Sequence, residues 1–129
     1  MTEHDLQVLA IGCFQKAGLY VFSITNHQQA LSRVPRHQRY ALINSLKAEG
    51  MTSGVADMQI LLPGGRSIFI ETKCPEEVWN GKKRYAGRQS AEQKQFETNV
   101  KALGHRYIVL DSVVGIEEII SEAEKCHKK

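Results

Sequence analysis

The feature that most constrains the fold is a pair of apolar segments, residues 57–62 and 67–73, separated by the Pro-Gly-Gly-Arg sequence of residues 63–66. A Pro-Gly-Gly turn between two short segments rich in isoleucine and leucine predicts a β-hairpin. In an antiparallel hairpin, the start of the first strand lies beside the end of the second strand. Asp57 opens the first segment and is therefore expected next to the residues that end the second.

The polar residues at this end of the hairpin predict a metal site. Glu71 and Lys73 lie on the same face of their strand, because successive side chains alternate between faces. Carboxylates from Asp57 and Glu71, with the backbone carbonyl of Thr72, would suit Mg²⁺ or Mn²⁺, which prefer oxygen ligands. Lys73 would orient or deprotonate a water, or stabilise developing negative charge, and both roles stay open. The alternative is a simple Glu-Lys ion pair on an exposed strand.

The rest of the chain predicts helices and strands around the hairpin. Apolar residues at three- and four-residue spacing indicate helices, and short β-branched or aromatic runs indicate strands. Helices are expected over about 2–16, 35–50 and 90–103 and from 112 onward, and strands at 19–24 and 106–110. Residues 26–32 and 74–89 are expected to be loops, the second long and basic. The predicted fold is α/β: a four-stranded mixed sheet flanked by helices, in a single domain of residues 1–129.

The charge distribution favours a polyanionic partner more than the net charge does. The chain has 17 Lys and Arg against 14 Asp and Glu, a net charge of +3. Basic residues cluster on both sides of the hairpin, whereas acids are frequent near the end of the chain, so the field can attract a polyanion to one face. The candidate nucleic-acid residues are Arg36 and Arg39 before the hairpin and Lys82, Lys83, Arg84 and Arg88 after it. Trp79 and Tyr85, among these residues, could stack on bases or fill a local apolar cluster.

Cysteine usage and hydropathy indicate the cellular compartment and exclude some kinds of structural site. The chain has 3 cysteines, far apart and without a Cys-x-x-Cys pair, so neither a disulfide framework nor a structural zinc site is expected. No apolar run approaches the length of a membrane span, and the first residues are polar and acidic. These features favour a protein of the cytoplasm without a membrane partner.

Three short motifs together resemble the PD-(D/E)XK nuclease superfamily: Gly54-x-x-Asp57, the Glu-Thr-Lys of residues 71–73, and Ser90-x-x-Gln93 at the start of a helix. Within that superfamily the pattern is most similar to the VRR-NUC family in its stand-alone phage type. The superfamily pattern has a proline before the aspartate, where this chain has Ala56. Proline supplies no chemistry, so the metal-binding pattern is retained.

The resemblance implies roles for individual residues. Asp57 and Glu71 would bind the metal ion, and Lys73 would be the catalytic lysine. Gln93 would be an active-site residue, although Ser90 and Gln93 also have the spacing of a helix capping box. An acid on the first helix would be a further metal ligand, with Glu3 the best match and Asp5 the alternative. Asn26 would match another polar position in phage members.

The function implied by this resemblance is a metal-dependent, structure-specific DNA endonuclease, in the cytoplasm of a bacterial host if a phage encodes it. Its substrate would be branched DNA, such as four-way (Holliday) junctions or flaps, and it would act as a homodimer. Two alternatives remain open at this point. One is a nuclease of the same superfamily with another DNA or RNA substrate, and the other is a nucleic-acid-binding module without catalysis.

Overall fold

A four-stranded sheet lies at the centre of the computed structural model. The structure describes residues 1–24, 31–84 and 87–127, without the side chains of Trp79, Arg84 and His127. In chain order the strands are β1 (Tyr20–Ser23), β2 (Met58–Leu62), β3 (Arg66–Thr72), β4 (Glu77–Trp79), β5 (Lys82–Arg84) and β6 (Arg106–Leu110). The helices are α1 (Glu3–Lys16), α2 (Arg39–Ala48), α3 (Ala91–Ala102) and α4 (Val113–His127).

The sheet has the order β1-β2-β3-β6 and mixes both strand directions. The β1–β2 and β2–β3 pairs are antiparallel, whereas β6 returns through α3 to run parallel to β3. The predicted mixed α/β fold with a four-stranded sheet is therefore confirmed. Met58 pairs with Ile70 across β2 and β3, so Asp57, which precedes Met58, lies beside the end of β3 that carries Glu71.

One face of the sheet carries the main core. Helix α1 begins at a capping box in which the Thr2 hydroxyl accepts from the Asp5 amide and the Asp5 carboxylate accepts from the Thr2 amide. Its apolar face and that of α4 pack on this side of the sheet, and burial of each large aliphatic or aromatic side chain contributes about 1.5–3 kcal/mol. The fully buried members of this core include Leu6, Phe14, Ile60, Ile68, Ile70, Ile116 and Ile119.

Helix α3 covers the opposite face, near β3 and β6. Phe69 of β3 meets Phe96 of α3 edge to face, with ring centroids 5.3 Å apart. Val100 and Tyr107 are buried beside them. Because Phe69 and Glu71 alternate with the core residues of β3, this second apolar cluster continues directly into the acidic end of the hairpin.

The prediction of a loop over residues 74–89 was wrong, because part of this segment forms the β4–β5 hairpin. Its two-residue turn has positive φ at both positions, 49° at Asn80 and 73° at Gly81. This is the conformation that Asn-Gly adopts in the type I′ turns of two-residue hairpins. The Asn-Gly pair was the available sequence signal, and the short, exposed strands concealed it because they lack apolar alternation.

The helix predicted over 35–50 is shorter than expected. Pro35 precedes a 3₁₀ turn at Arg36–Gln38, and α2 begins at Arg39 and has no buried residue. Most of the predicted loop at 26–32 lies outside the described residues, as do Asn26 and Tyr85. Within the described ranges, every helix is too short or too polar to cross a membrane.

Candidate active site

Asp57 is fixed at the mouth of the β2–β3 hairpin by backbone contacts. Its amide donates to the Ile70 carbonyl at 3.0 Å, and its carboxylate oxygen Oδ2 accepts from the Thr72 amide at 2.8 Å. Because Thr72 follows Glu71 directly, the hydrogen bond from its amide holds the Asp57 carboxylate close to Glu71. The structure places the Thr72 side chain in the interior, where its hydroxyl has no hydrogen-bond partner among the described residues.

Glu71 is the most enclosed acid of the site, with only 3% of its surface exposed. Its oxygen Oε1 accepts a hydrogen bond from Gln93 Nε2 at 2.6 Å and lies 3.9 Å from Lys73 Nζ. Its other oxygen, Oε2, is buried and has no hydrogen-bond partner within the described part of the chain. A buried carboxylate oxygen left without a partner is costly, unless a cation occupies the space beside it.

The electrostatics show that the two acids disfavour each other's charge. Burial first, and then the charge of Asp57, raises the pKa of Glu71 to about 8, while Lys73 acts in the opposite direction. Burial also raises the pKa of Asp57, although the hydrogen bond from the Thr72 amide opposes this rise. A buried carboxylate beside a half-buried one, with the pKa of both raised, is compatible with a site that gains a positive charge.

Gln93 forms the predicted capping box and also contacts Glu71. Its side-chain oxygen accepts from the Ser90 amide at 2.9 Å, while the Ser90 hydroxyl accepts from the Gln93 amide at 3.2 Å. Its side-chain nitrogen remains available and donates to Glu71 Oε1. Because the capping box fixes which end of the amide faces the sheet, Gln93 can only donate to Glu71. The cap and the contact with Glu71 therefore coexist in one side chain.

Of the two first-helix acids, Glu3 is the one whose charge affects the acid pair. Its negative charge contributes to the raised pKa of both Asp57 and Glu71, which places the start of α1 near both carboxylates. Asp5 instead accepts from the Thr2 amide in the capping box, and these hydrogen bonds with Thr2 lower the pKa of Asp5. Glu3 remains exposed at the first residue of the helix.

Lys73 lies just beyond β3 and is nearly as enclosed as Glu71. Its amide donates to the Leu110 carbonyl of β6 at 2.8 Å, which continues the parallel pairing past the end of the strand. Gly87 packs on its side-chain stem, since a Cβ built on Gly87 would be 3.5 Å from the Lys73 Cδ. The ammonium group is therefore directed from a covered stem toward Glu71.

The donor set fits a hard divalent cation. Within the described ranges, no group of three or more His, Cys, Asp and Glu residues forms a metal-binding cluster by itself. Asp57 and Glu71 nevertheless offer two carboxylates, and the unpartnered Glu71 Oε2 is the atom that a cation would satisfy. Mg²⁺ usually binds through one or two carboxylates and keeps several waters, so this pair is compatible with it.

The structure does not bring all the predicted basic residues to the acids. Lys82, Lys83 and Arg84 form β5, and Arg88 lies exposed in the segment that leads to α3. Arg36 and Arg39 lie at the start of α2, where Arg39 Nε donates to the Val34 carbonyl at 3.1 Å. No hydrogen bond or ion pair between described residues joins these two arginines to Asp57, Glu71 or Lys73.

Gly54 has a structural role that its place in the motif did not reveal. Its φ is +79°, and a Cβ built there would lie 2.3 Å from the backbone carbon of Glu92 and 2.6 Å from the Gln93 amide nitrogen. The loop before Asp57 therefore packs backbone to backbone against the first turn of α3. This contact sets the distance across which Gln93 reaches Glu71.

We expect Gly54→Ala to destabilise the protein by about 2–4 kcal/mol, because the added methyl group must displace α3 and adopt an unfavourable φ. Urea unfolding measures the effect. Gly18→Ala is the matched control, since φ is +82° there but no atom lies within 4 Å of the added carbon. The control should cost about 1 kcal/mol. Equal losses in the two variants would show that the contact with α3 is unimportant.

The fold is thus a mixed α/β fold with a four-stranded sheet, and two enclosed carboxylates and a lysine meet at one end of it. No protein-family model, curated protein or solved structure matches the chain. Its function is therefore argued from the geometry of Asp57, Glu71 and Lys73.

Proposed function

We propose that the protein is a metal-dependent, structure-specific DNA endonuclease with a PD-(D/E)XK core of the VRR-NUC type. The observation that carries this proposal is the acid pair at the end of the β2–β3 hairpin. Asp57 is bonded to the Ile70 carbonyl and the Thr72 amide on either side of Glu71, and Glu71 Oε2 is buried without a hydrogen-bond partner among the described residues. A divalent cation would relieve both the mutual repulsion and the missing contact.

The chemistry follows from what each residue can do. Bound Mg²⁺ or Mn²⁺ would polarise a phosphate and acidify a water. Asp57 and Glu71 hold the charge for this cation, and the Thr72 carbonyl is the proposed third protein ligand, with Glu3 as a further acid. Lys73 is placed to orient or deprotonate the attacking water, or to stabilise the charge that develops on the phosphate.

Gln93 serves in this proposal as a positioning residue for Glu71. It occupies Oε1 and leaves Oε2 for the cation, because the capping box prevents the amide from rotating. Phosphodiester hydrolysis is thus supported by one carboxylate oriented from α3 and one oriented by the Thr72 amide. Preorganised ligands of this kind lose little free energy to rearrangement during the reaction.

The proposed substrate is branched DNA, including four-way junctions and flaps, and the proposed setting is the cytoplasm, that of a bacterial host if a phage encodes the protein. A homodimer would present two sites related by two-fold symmetry, which suits symmetric cutting of two strands. Exposed basic residues that precede and follow the β2–β3 hairpin in the sequence support a nucleic-acid partner. They are Arg36, Arg39, Lys82, Lys83 and Arg88, with Arg84 in the same strand as the two lysines.

We expect the purified protein to cleave branched DNA in the presence of Mn²⁺ or Mg²⁺ and to be inactive with EDTA. The assay compares flaps, splayed arms, four-way junctions, plain duplex and single-stranded RNA, with the mass in solution measured alongside. Cleavage of plain DNA or RNA in preference to branches would favour a nuclease of another specificity. Binding to DNA without cleavage under any metal condition would favour a non-catalytic module.

A further inference from the structure

The β4–β5 hairpin supplies none of the proposed metal ligands, yet it is attached directly beside them. Cys74 follows Lys73, and its carbonyl oxygen accepts a hydrogen bond from the Gly87 amide at 3.0 Å. Gly87 also lies against the stem of Lys73, as described above. The two ends of the hairpin segment are therefore closed over the lysine of the candidate active site.

An ion pair at its base holds the hairpin against the start of the chain. Glu77 of β4 forms an ion pair with the amino group of Met1, next to the start of α1. Val78, in the middle of β4, is 71% exposed, and the paired residue Lys83 is exposed as well. An isolated two-stranded ribbon has marginal stability in water, so contacts outside the ribbon contribute to holding it in place.

The charge of the hairpin suits a phosphate backbone. Lys82 and Lys83 are adjacent and exposed on β5. Lys83 Nζ lies 2.9 Å from Glu76 Oε1, with 49% and 51% of these two side chains exposed. An exposed pair of this kind contributes at most about 1 kcal/mol, so a phosphate can replace the carboxylate at low cost.

The dimensions of the hairpin suit a duplex. A strand rises about 3.3 Å per residue, so the distance from Cys74 to Asn80 is up to about 20 Å. DNA rises about 3.4 Å per base pair, so the hairpin could follow about six base pairs beyond a phosphate held at Lys73. The major groove of B-DNA, about 12 Å wide, also accommodates a two-stranded β-ribbon.

We propose that the β4–β5 hairpin is a duplex-binding arm that contacts the double-stranded DNA next to the cleaved strand through Lys82 and Lys83. This inference rests on the proposed nuclease function and adds which part of the chain selects the substrate. The arm determines affinity for substrates with a duplex arm, whereas the acids and Lys73 determine the chemical step. Loss of the arm therefore raises KM more than it lowers kcat.

The test is the double variant Lys82→Gln with Lys83→Gln. Its matched control is Lys16→Gln with Lys125→Gln, which removes the same charge from exposed positions on α1 and α4. Fluorescence anisotropy measures binding to a labelled four-way junction and to a single strand of equal length, in an Asp57→Asn background that prevents cleavage. For the hairpin variant we expect about tenfold weaker junction binding and a salt slope smaller by about 1.8, equivalent to two lost phosphate contacts.

The binding and cleavage measurements together decide whether the hairpin contacts duplex DNA. Equal salt slopes in the hairpin and control variants would overturn the inference, as would a background protein that binds neither DNA. An equal loss on the single strand would also overturn it, because the lysines would then contact phosphate without selecting duplex. Cleavage with Mn²⁺ is assayed separately in the Asp57 parent. If that parent never cleaves but the hairpin variant loses junction affinity, the nuclease proposal fails and the arm stands. If the parent cleaves DNA but the salt slope of the hairpin variant equals that of the control, the nuclease proposal stands and the arm proposal fails.

Discussion

Replacing Asp57 with asparagine is expected to lower the rate of DNA cleavage roughly a thousandfold and to leave DNA affinity within about threefold. The substitution retains an oxygen that can accept from the Thr72 amide, so the local backbone contact survives. It removes one of the two charges that hold the cation, and a loss of about 4 kcal/mol in transition-state stabilisation corresponds to this factor. Single-turnover cleavage of a labelled four-way junction with Mn²⁺ gives the rate, and anisotropy gives the affinity.

Glu118→Gln provides the control for this experiment, because it removes a carboxylate charge from an exposed position on α4. The control should cleave at the parental rate. If Asp57→Asn retains cleavage within tenfold of the parent, Asp57 is not a metal ligand and the proposed site is wrong. If both cleavage and binding disappear, circular dichroism must show that the variant is folded before the loss is assigned to catalysis.

The sheet and the acid pair were predictable because they depend on local pattern. The turn at 63–66 sets the register of β2 and β3, and this register alone places Asp57 beside the end of β3 that carries Glu71. Alternation along β3 then separates the core residue Ile70 from Glu71. The parallel return of β6 followed from the helix between the strands, since a parallel partner needs a crossover connection.

The support of the site was less predictable because it depends on distances between elements far apart in the chain. Nothing in the local sequence states that Gly54 packs against α3, or that this contact brings Gln93 within hydrogen-bond distance of Glu71. The spacing of Ser90 and Gln93 predicts the capping box but not the contact with Glu71, because that contact uses the other end of the same amide. In the structure the side-chain oxygen of Gln93 accepts from the Ser90 amide, and its side-chain nitrogen donates to Glu71 on β3.

The stability of the metal-free protein is expected to fall as pH rises, and Glu71 is the main cause. Its pKa is raised from 4.5 to about 8 in the folded protein. Between these values the folded state keeps a proton that the unfolded state releases, so the free energy of unfolding decreases with pH. This contribution to the free energy of unfolding is fully present below about pH 4.5 and is lost by about pH 8. The loss between these pH values amounts to several kcal/mol. Urea unfolding in EDTA from pH 5 to 9 measures it.

Glu71→Gln isolates this contribution because glutamine does not titrate and can still accept from Gln93 Nε2. We expect the variant to be more stable than the parent above pH 8 and to lack this part of the pH dependence. Glu124→Gln, an exposed carboxylate on α4, should follow the parental curve. A constant difference between parent and Glu71→Gln across the pH range would contradict the raised pKa.

Mn²⁺ at about 100 times its Kd should restore about 2.7 kcal/mol to the parent at pH 8, and much less to Glu71→Gln, because the variant lacks the charge that attracts the ion.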